Sequence, residues 1–359
     1  MVAHKLYRWS IDRINGRFAA GWCFNRLQKT RPVTIVVTVD DTVIGEFTND
    51  GYRPDLVEQK LHPTGVCAFD FSFPAAFDPA SHTSLSVFFD TVKKPIATFA
   101  CRELEMLRPR LAKPVCFMHV PKTAGTSFNS FARNCFAGDR FITHIERLGG
   151  DARRRTAESA DYFAGHLPLY ELLELPAAAR TDLYTIIREP YAHLHSHLNY
   201  VKGVTAGTEV ENRYEYRHND TIKRFSVKLN HIDFAVPETI RTFVDGLAEY
   251  ERDFFDNMQT RYFLDYRPAV VARGDLEQAT RNFSRFRSIG LTEHYEAFRD
   301  RFCADIGLSP QTQDLQSNKS SSYRLFDLSD PHIRAALKPL VVHDLDLYRA
   351  AADLIAPGD

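Results

Sequence analysis

Three residues with basic side chains, Lys122, His166 and Arg188, each follow a short apolar stretch of the chain. A lysine and an arginine can hold an anion, and a histidine near neutral pH can take a proton from a reacting hydroxyl. The guanidinium offers several N–H donors in a planar fork, which suits an oxyanion such as phosphate. These residue types predict a site that holds an anionic group while a proton moves.

The segment around Lys122, residues 119–128, lies between a strand-like pattern and a helix-like pattern. Before it, the apolar run at residues 115–118 predicts a buried strand. After it, apolar residues recur at helical spacing at Phe128, Phe131, Ala132, Cys135 and Phe136. Gly125 lets the backbone approach a ligand, Thr126 or Ser127 can cap the helix, and a helix N-terminus attracts anions. The alternative is an ordinary turn with an exposed lysine.

The second basic segment follows another apolar run and begins Arg188-Glu189-Pro190. Proline is favoured in the first turn of a helix, so a helix is predicted from Pro190 onward. Arg188 and Ser196, two turns along, can then hold one phosphate. The alternative is a solvated helix with a histidine-rich surface. His193, His195 and His197 do not share one helix face, so no metal site is expected there.

Composition limits the function classes. The chain has 359 residues, with 45 Lys plus Arg against 46 Asp plus Glu, which argues against a dedicated nucleic-acid binder. Its six scattered cysteines form no CxxC pair and predict free thiols in a reducing compartment. No signal peptide is apparent, because residues 1–9 hold no long apolar run. No membrane span is expected, because no stretch reaches about 18 apolar residues. A soluble cytoplasmic protein is therefore expected.

Residues 1–108 have the pattern of an all-β domain. Candidate strands are residues 16–22, 33–39, 43–47, 66–73, 85–89 and 96–101. Asp40-Asp41 is a plausible hairpin turn between two of them. Short strands separated by turns predict a sandwich-like domain or small barrel, which is a candidate for acceptor binding or interaction.

Residues 109–359 have a different pattern, in which strands alternate with helices. Strands are predicted at 115–120, 161–165, 183–187 and 288–291, and helices at 238–250, 251–264, 276–286, 295–306 and 331–354. This alternation predicts an α/β domain with a parallel sheet. Lys122, His166 and Arg188 would then lie beyond the carboxyl ends of three strands, where open α/β sheets bind ligands.

Two motifs in this region resemble a known family. Pro121-Lys122-Thr123-Ala124-Gly125-Thr126-Ser127 after a strand resembles the 5′-phosphosulfate loop of sulfotransferases that use 3′-phosphoadenosine 5′-phosphosulfate (PAPS). Arg188-Glu189-Pro190 followed by Ser196 resembles their 3′-phosphate motif. The similarity covers residues 114–325 and is to carbohydrate sulfotransferases of the heparan sulfate 2-O-sulfotransferase type, bacterial forms included. Residues 257–261 and 290–293 add to it, and residues 316–321 resemble the late Asn-Lys-Ser loop.

The resemblance implies a sulfotransferase fold, a P-loop-like parallel sheet flanked by helices. It also implies PAPS as co-substrate, no metal, and a carbohydrate acceptor that is an oligosaccharide, polysaccharide or glycolipid. The residues implied to bind PAPS are Lys122, Thr123, Ala124, Gly125, Thr126, Ser127, Arg188, Ser196, Lys319 and Ser320. Lys122 is also implied in catalysis, and His166, after Gly165, is implied as the general base, with His119 as competitor.

One position departs from the family pattern. The family commonly has a second arginine three residues after the proline, where this chain has His193. Because histidine titrates near neutrality, phosphate affinity is expected to be weaker or more dependent on pH.

Two other functions remain open. A phosphate-loop kinase or ATPase needs glycine, four residues, then Gly-Lys-Ser/Thr, whereas Lys122 precedes Gly125 here. A non-catalytic carbohydrate- or nucleotide-binding protein would not need the complete set of basic residues. Residues 202–236 are predicted to be a long irregular connection, and their basic and aromatic residues are suited to an acceptor cleft or to a solvated loop.

Overall fold

The computed structural model describes residues 6–90, 92–205, 220–309 and 325–355. The chain divides into two compact units. The first contains residues 1–110 and 130–142, and the second contains residues 111–129 and 143–359. The sequence pattern gives no sign that residues 130–142 group with the N-terminal part of the chain. The predicted division at residues 108 and 109 stays a prediction for the folding of the separate parts.

The first unit is built mainly from antiparallel strands. They are β1 (Tyr7–Ile14), β2 (Phe18–Asn25), β3 (Thr34–Val39), β4 (Thr42–Thr48), β5 (Gly51–Tyr52), β6 (Val66–Ser72), β7 (Ser84–Phe89) and β8 (Ala97–Ala100), with a short helix α1 (Pro54–Glu58) after β5. They form two sheets in the orders β1-β2-β6-β5 and β4-β3-β7-β8. One apolar core draws side chains from both sheets, as in a sandwich.

The hairpin between β3 and β4 forms as its sequence predicts. Asp40 and Asp41 both have positive φ, 45° and 66°. Such angles belong to the two-residue turns whose twist matches that of the flanking strands, and Asp is among the residues that tolerate them. The predicted hairpin is therefore confirmed.

The remaining elements alternate between strands and helices. They are β9 (Val115–Met118), α2 (Gly125–Ala132), β10 (Phe141–Ile142), α3 (Gly150–Ser159), β11 (Tyr162–Gly165), α4 (Leu169–Leu173), β12 (Asp182–Ile187), α5 (Pro190–Gly203), α6 (Asp220–Asn230), α7 (Pro237–Asp245), α8 (Glu249–Phe255), α9 (Met258–Tyr262), α10 (Arg273–Arg281), β13 (Phe286–Leu291), α11 (Tyr295–Asp305), α12 (Pro331–Leu337) and α13 (Val342–Ile355). Strands β11, β9, β12 and β13 pair in parallel in that order. The predicted α/β architecture, a parallel sheet flanked by helices, is confirmed.

This strand order positions the three basic residues. All residues of β9 and β11 are buried, as expected for a parallel sheet covered on both faces. β9 lies between β11 and β12, so the carboxyl ends of the three strands are neighbours. Lys122 follows the central strand, and His166 and Arg188 directly follow its two neighbours.

Several helices differ from the prediction in extent. The single helices expected over 238–250 and 331–354 are each two shorter helices, the second pair separated by a 3₁₀ turn at Lys338–Leu340. Asn257, with φ of 47°, separates α8 from α9 inside the helix expected over 251–264. Residues 220–230 form α6, so the expectation of irregular chain from 202 to 236 is wrong for that part. Periodicity shows where apolar faces lie but not where a backbone turns between them.

Two further expectations concern cysteine and membranes. All six cysteines are free and buried. Across the described part of the chain, no helix combines the length and the apolar character that crossing a membrane requires.

Candidate functional site

The loop between β9 and α2 has a constrained backbone. Lys122 and Ala124 have φ of 67° and 68°, in the left-handed region that side chains other than glycine rarely enter. Between them, buried Thr123 donates its hydroxyl to the carbonyl of Val120 at 2.8 Å. Left-handed residues of this kind cost about 1–3 kcal/mol each and concentrate at functional sites. The hydroxyl of Thr123 therefore ties the turn back to the end of β9 and holds its backbone in this conformation.

Gly125 is needed for a reason that the sequence does not reveal. A Cβ at this position would lie closer than 3.0 Å to ring atoms of His119. His119 is only 5% exposed, so its ring cannot swing away into solvent. The absence of a side chain therefore makes room for His119, in addition to the approach to a ligand that was expected.

The expectation that Thr126 or Ser127 caps the N-terminus of α2 is wrong. The helix begins at Gly125, so Thr126 and Ser127 lie inside its first turn and Ala124 holds the position before it. Thr126 is exposed and Ser127 is half-buried. Both hydroxyls and the first N–H groups of the helix thus lie at its positive end, where an anion is favoured.

Lys122 and Arg188 are close to each other and to an aromatic ring. The Arg188 guanidinium donates to the carbonyl of Lys122 at 3.4 Å, and the Lys122 ammonium lies 4.6 Å from the centre of the Tyr200 ring. Within the described ranges, no carboxylate forms an ion pair with either cation. Burial lowers the pKa of Lys122, and the charge of Arg188 lowers it further. Burial lowers the pKa of Arg188, and the charges of Glu293 and Glu189 act in the opposite direction without forming an ion pair with it. Two half-buried cations with no ion-pair partner in the described ranges favour an anion between them.

The backbone of Arg188 is held by a buried glutamine. The Gln259 side chain accepts from the Arg188 N–H at 2.8 Å and donates to the Arg188 carbonyl at 2.9 Å. Gln259 is fully buried. In turn, buried Asp344 accepts from the backbone N–H of Gln259 and from both donors of Thr260. The motif at 257–261 therefore fixes the backbone of Arg188 through Gln259.

The motif at 290–293 supports the same turn. Thr292 donates its hydroxyl to the carbonyl of Ile187 at 3.1 Å, and Glu293 accepts from the backbone of Glu189 at 3.0 Å. Glu189 also caps α5, because its carboxylate accepts from the N–H of Ala192 at 2.7 Å. These three hydrogen bonds tie the end of β12 to the segment after β13 and hold the start of α5.

The histidines of α5 are mostly internal, which contradicts the alternative of a solvated helix with a histidine-rich surface. His193 and His197 are 2% and 3% exposed, and His195 accepts from the backbone of Leu325 at 3.0 Å. The Nε2 of His193 donates to the carbonyl of Pro121 at 2.8 Å. Burial lowers the pKa of His193 to about 4. His193 therefore holds the loop as a neutral residue. The expectation that its imidazole titrates near neutrality is wrong.

Ser196 lies on α5 and is half-buried. No hydrogen bond joins it to Arg188 or to any other residue that the structure describes. The predicted joint grip on one phosphate therefore stays a prediction, in which the ligand itself would connect the two side chains. Lys319 and Ser320, with the rest of the segment 316–321, lie outside the described residues, as do residues 213–218.

His166 has a defined orientation beside this loop. Its Nδ1 lies 2.8 Å from the carbonyl of His119, and its backbone N–H donates to Glu146 at 3.1 Å. A carbonyl only accepts, so Nδ1 carries the proton and Nε2 keeps a free lone pair. Burial lowers the pKa of His166, while the carbonyl of His119 and Glu146 act in the opposite direction. The imidazole is thus neutral and able to accept a proton.

Two residues of the site were not predicted from the sequence. His144 and Glu146 come close to His166, with the Nδ1 of His144 3.0 Å from a carboxylate oxygen of Glu146. A Cβ on Gly165 would lie 2.7 Å from the other Glu146 oxygen, so this glycine makes room for the carboxylate. No motif marks the pair, because residues 143–149 lack apolar periodicity. In the sequence, only the spacing His-x-Glu indicates that these two side chains could act together.

Comparisons of the chain with protein-family models, with curated proteins and with solved structures gave no match.

Proposed function

We propose that this protein transfers the sulfuryl group of PAPS to a hydroxyl of a carbohydrate acceptor. The observation that carries the proposal is the pair of half-buried cations, Lys122 and Arg188, that have no ion-pair partner among the described residues and flank the start of α2. The order of the two motifs, at residues 121–127 and at Arg188 with Ser196, supports PAPS as the anion. The proposal includes a sulfotransferase fold for the second unit.

In this mechanism the loop and Lys122 hold the 5′-phosphosulfate, and Arg188 with Ser196 holds the 3′-phosphate. As the bond between sulfur and the leaving phosphate oxygen breaks, negative charge grows on that phosphate. The Lys122 ammonium and the first N–H groups of α2 are positioned to stabilise this charge, since such groups act most strongly where water is excluded. By the family resemblance, Lys319 and Ser320 are proposed to contribute to PAPS binding.

The acceptor hydroxyl gives its proton to Nε2 of His166 while the hydroxyl oxygen bonds to sulfur. This assignment follows from the Nδ1 hydrogen bond to His119, which leaves Nε2 as the acceptor. General-base help of this kind contributes about 10²–10⁴-fold. His119 is the weaker candidate, because it is 5% exposed and its ring packs against Gly125.

The decisive experiment compares two nucleotides that differ by one phosphate. Adenosine 3′,5′-bisphosphate, the product of the transfer, should bind at least about tenfold more tightly than AMP, because hydrogen bonds to charged groups contribute about 1.5–3 kcal/mol. The measurement is the thermal shift of the full chain at matched nucleotide concentrations. At 100 times its dissociation constant a ligand adds about 2.7 kcal/mol, which is a readily detected shift.

Equal shifts for the two nucleotides would contradict the assignment. A larger shift with ATP would favour the phosphate-loop kinase. Selective binding without acceptor-dependent release of the bisphosphate would favour a non-catalytic nucleotide-binding protein.

A further inference from the structure

His144, Glu146 and His166 form a cluster on one side of the loop. Each offers one ligand atom, and these atoms all lie within 4.8 Å of one another. All three side chains are half-buried, so an ion can reach them from solvent. Two imidazoles and one carboxylate are the donor set with which catalytic zinc sites hold the ion while keeping an open position.

The geometry points to a binding site for a divalent transition-metal ion, such as Zn²⁺, formed by His144, Glu146 and His166. Ligand atoms in a tetrahedral zinc site lie about 3.4 Å apart, given Zn–N bonds of about 2.0–2.1 Å. Side chains within 4.8 Å of one another need only small rotations to reach that spacing.

The surroundings of the cluster have the features of a supported site. The Nδ1 of His166 donates to a backbone carbonyl, which is how metal-bound histidines are usually oriented, and Nε2 is left to bind the ion. Glu146 is fixed by the backbone N–H of His166, and Gly165 leaves it room.

Two features act against the ion. The Nδ1 of His144 is engaged with Glu146 at 3.0 Å, so an ion at that nitrogen requires the tautomer with its proton on Nε2. The charge of the neighbouring Arg147 also opposes a cation. The carboxylate of Glu146 offsets the local positive charge.

One consequence rests on the proposed function. The lone pair on Nε2 of His166 that would bind zinc is the one that would accept the acceptor proton. Zinc binding and sulfuryl transfer would therefore exclude each other, and zinc would act as an inhibitor that a chelator removes.

The test is binding of Zn²⁺ to the full chain, measured by calorimetry, with Co²⁺ as a spectroscopic probe. We expect one ion per chain and a Co²⁺ absorption typical of a four-coordinate site. His144→Ala and Glu146→Gln should each weaken zinc binding at least about tenfold, the size of effect expected even for residues that only support a ligand. The matched controls, His332→Ala and Glu238→Gln on exposed surface, should bind as the unmodified chain does.

Equal zinc binding by the four variants and the unmodified chain would overturn the proposal, as would the absence of binding in the unmodified chain. The binding test does not depend on the reaction. If zinc binds but no transfer occurs, the proposed function fails and the metal site stands. If transfer occurs, the ratio of rates with and without zinc should be lower for the unmodified chain than for His144→Ala.

Discussion

At the scale of single residues, the proposed mechanism gives proton transfer to one group, His166, and the holding of charge to others, Lys122 and Arg188. His166 is oriented by the carbonyl of His119 and keeps a free lone pair, whereas Arg188 has a fixed backbone and a side chain that forms no ion pair within the described ranges. In the proposed reaction, the phosphate at Arg188 does not change charge, but the proton at His166 must move. Truncation of His166 should therefore lower turnover, and truncation of Arg188 should weaken nucleotide binding.

His166→Ala should lower turnover by about 10²-fold or more while binding of adenosine 3′,5′-bisphosphate stays nearly unchanged. Arg188→Ala should do the reverse and weaken binding of the bisphosphate by about 10–100-fold, the loss expected for a charged hydrogen-bonding partner. Steady-state kinetics with PAPS and calorimetry with the bisphosphate separate the two quantities. A His166→Ala variant that keeps most of its turnover would exclude His166 as the base.

At the scale of elements, the end of β12 is held by α9, and α9 by the start of α13. The Gln259 amide imitates a neighbouring strand, since it accepts from one backbone group of Arg188 and donates to the other. Asp344 in α13 accepts from three donors of α9. The position of Arg188 thus depends on residues more than 70 positions away in sequence, as the separations of 71 and 85 residues show.

Gln259→Glu tests this support without changing the size of the side chain. A carboxylate still accepts from the Arg188 N–H but cannot donate to its carbonyl, which leaves that buried oxygen unpaired. We expect a loss of about 1–3 kcal/mol in the free energy of unfolding, and weaker binding of the bisphosphate. Urea unfolding and calorimetry measure the two effects. Gln59→Glu, the same change at an exposed position, should alter neither; equal behaviour of the two variants would show that the support is unimportant.

These two scales also show how far the sequence could go. The strands at 115–118 and 183–187, and the basic residues after them, were predictable because buried parallel strands are short apolar runs with polar residues at their ends. The burial of His193 and the closeness of His144 and Glu146 to His166 were not predictable. A polar residue in a sequence window carries no mark of the distant carbonyl or carboxylate that it will meet. Helix breaks such as that at Asn257 were missed for the same reason.

At the scale of the whole molecule, two buried groups make stability depend on pH in opposite directions. Burial lowers the pKa of His193 from 6.5 to about 4, so its contribution to stability is present above 6.5 and lost as the pH falls through about 4. Burial raises the pKa of Asp344 from 3.8 to about 7, so its contribution is present below 3.8 and lost as the pH rises through about 7. Each contribution is on the order of 3–4 kcal/mol.

Substitution of each residue should remove its own part of the pH dependence of the free energy of unfolding. His193→Gln keeps a donor for the carbonyl of Pro121 but cannot be charged, so it should lose less stability on acidification than the unmodified chain. The Asp344→Asn variant should lose less stability than the unmodified chain when the pH rises from about 5 to about 8. Urea unfolding across this range gives the free energies. Parallel pH profiles for the unmodified chain and both variants would show that neither group is responsible.

The packing of His119 against Gly125 restricts how the loop can vary among natural sequences. A side chain at the glycine position would have to displace a ring that is 5% exposed, so substitution there is tolerated only if the histidine becomes smaller in the same lineage. The two positions should therefore covary, with alanine or serine at one accompanied by a small residue at the other. In the laboratory, Gly125→Ala alone should be severely destabilising, and His119→Ala should rescue it in part. A double variant less stable than either single variant would contradict this coupling.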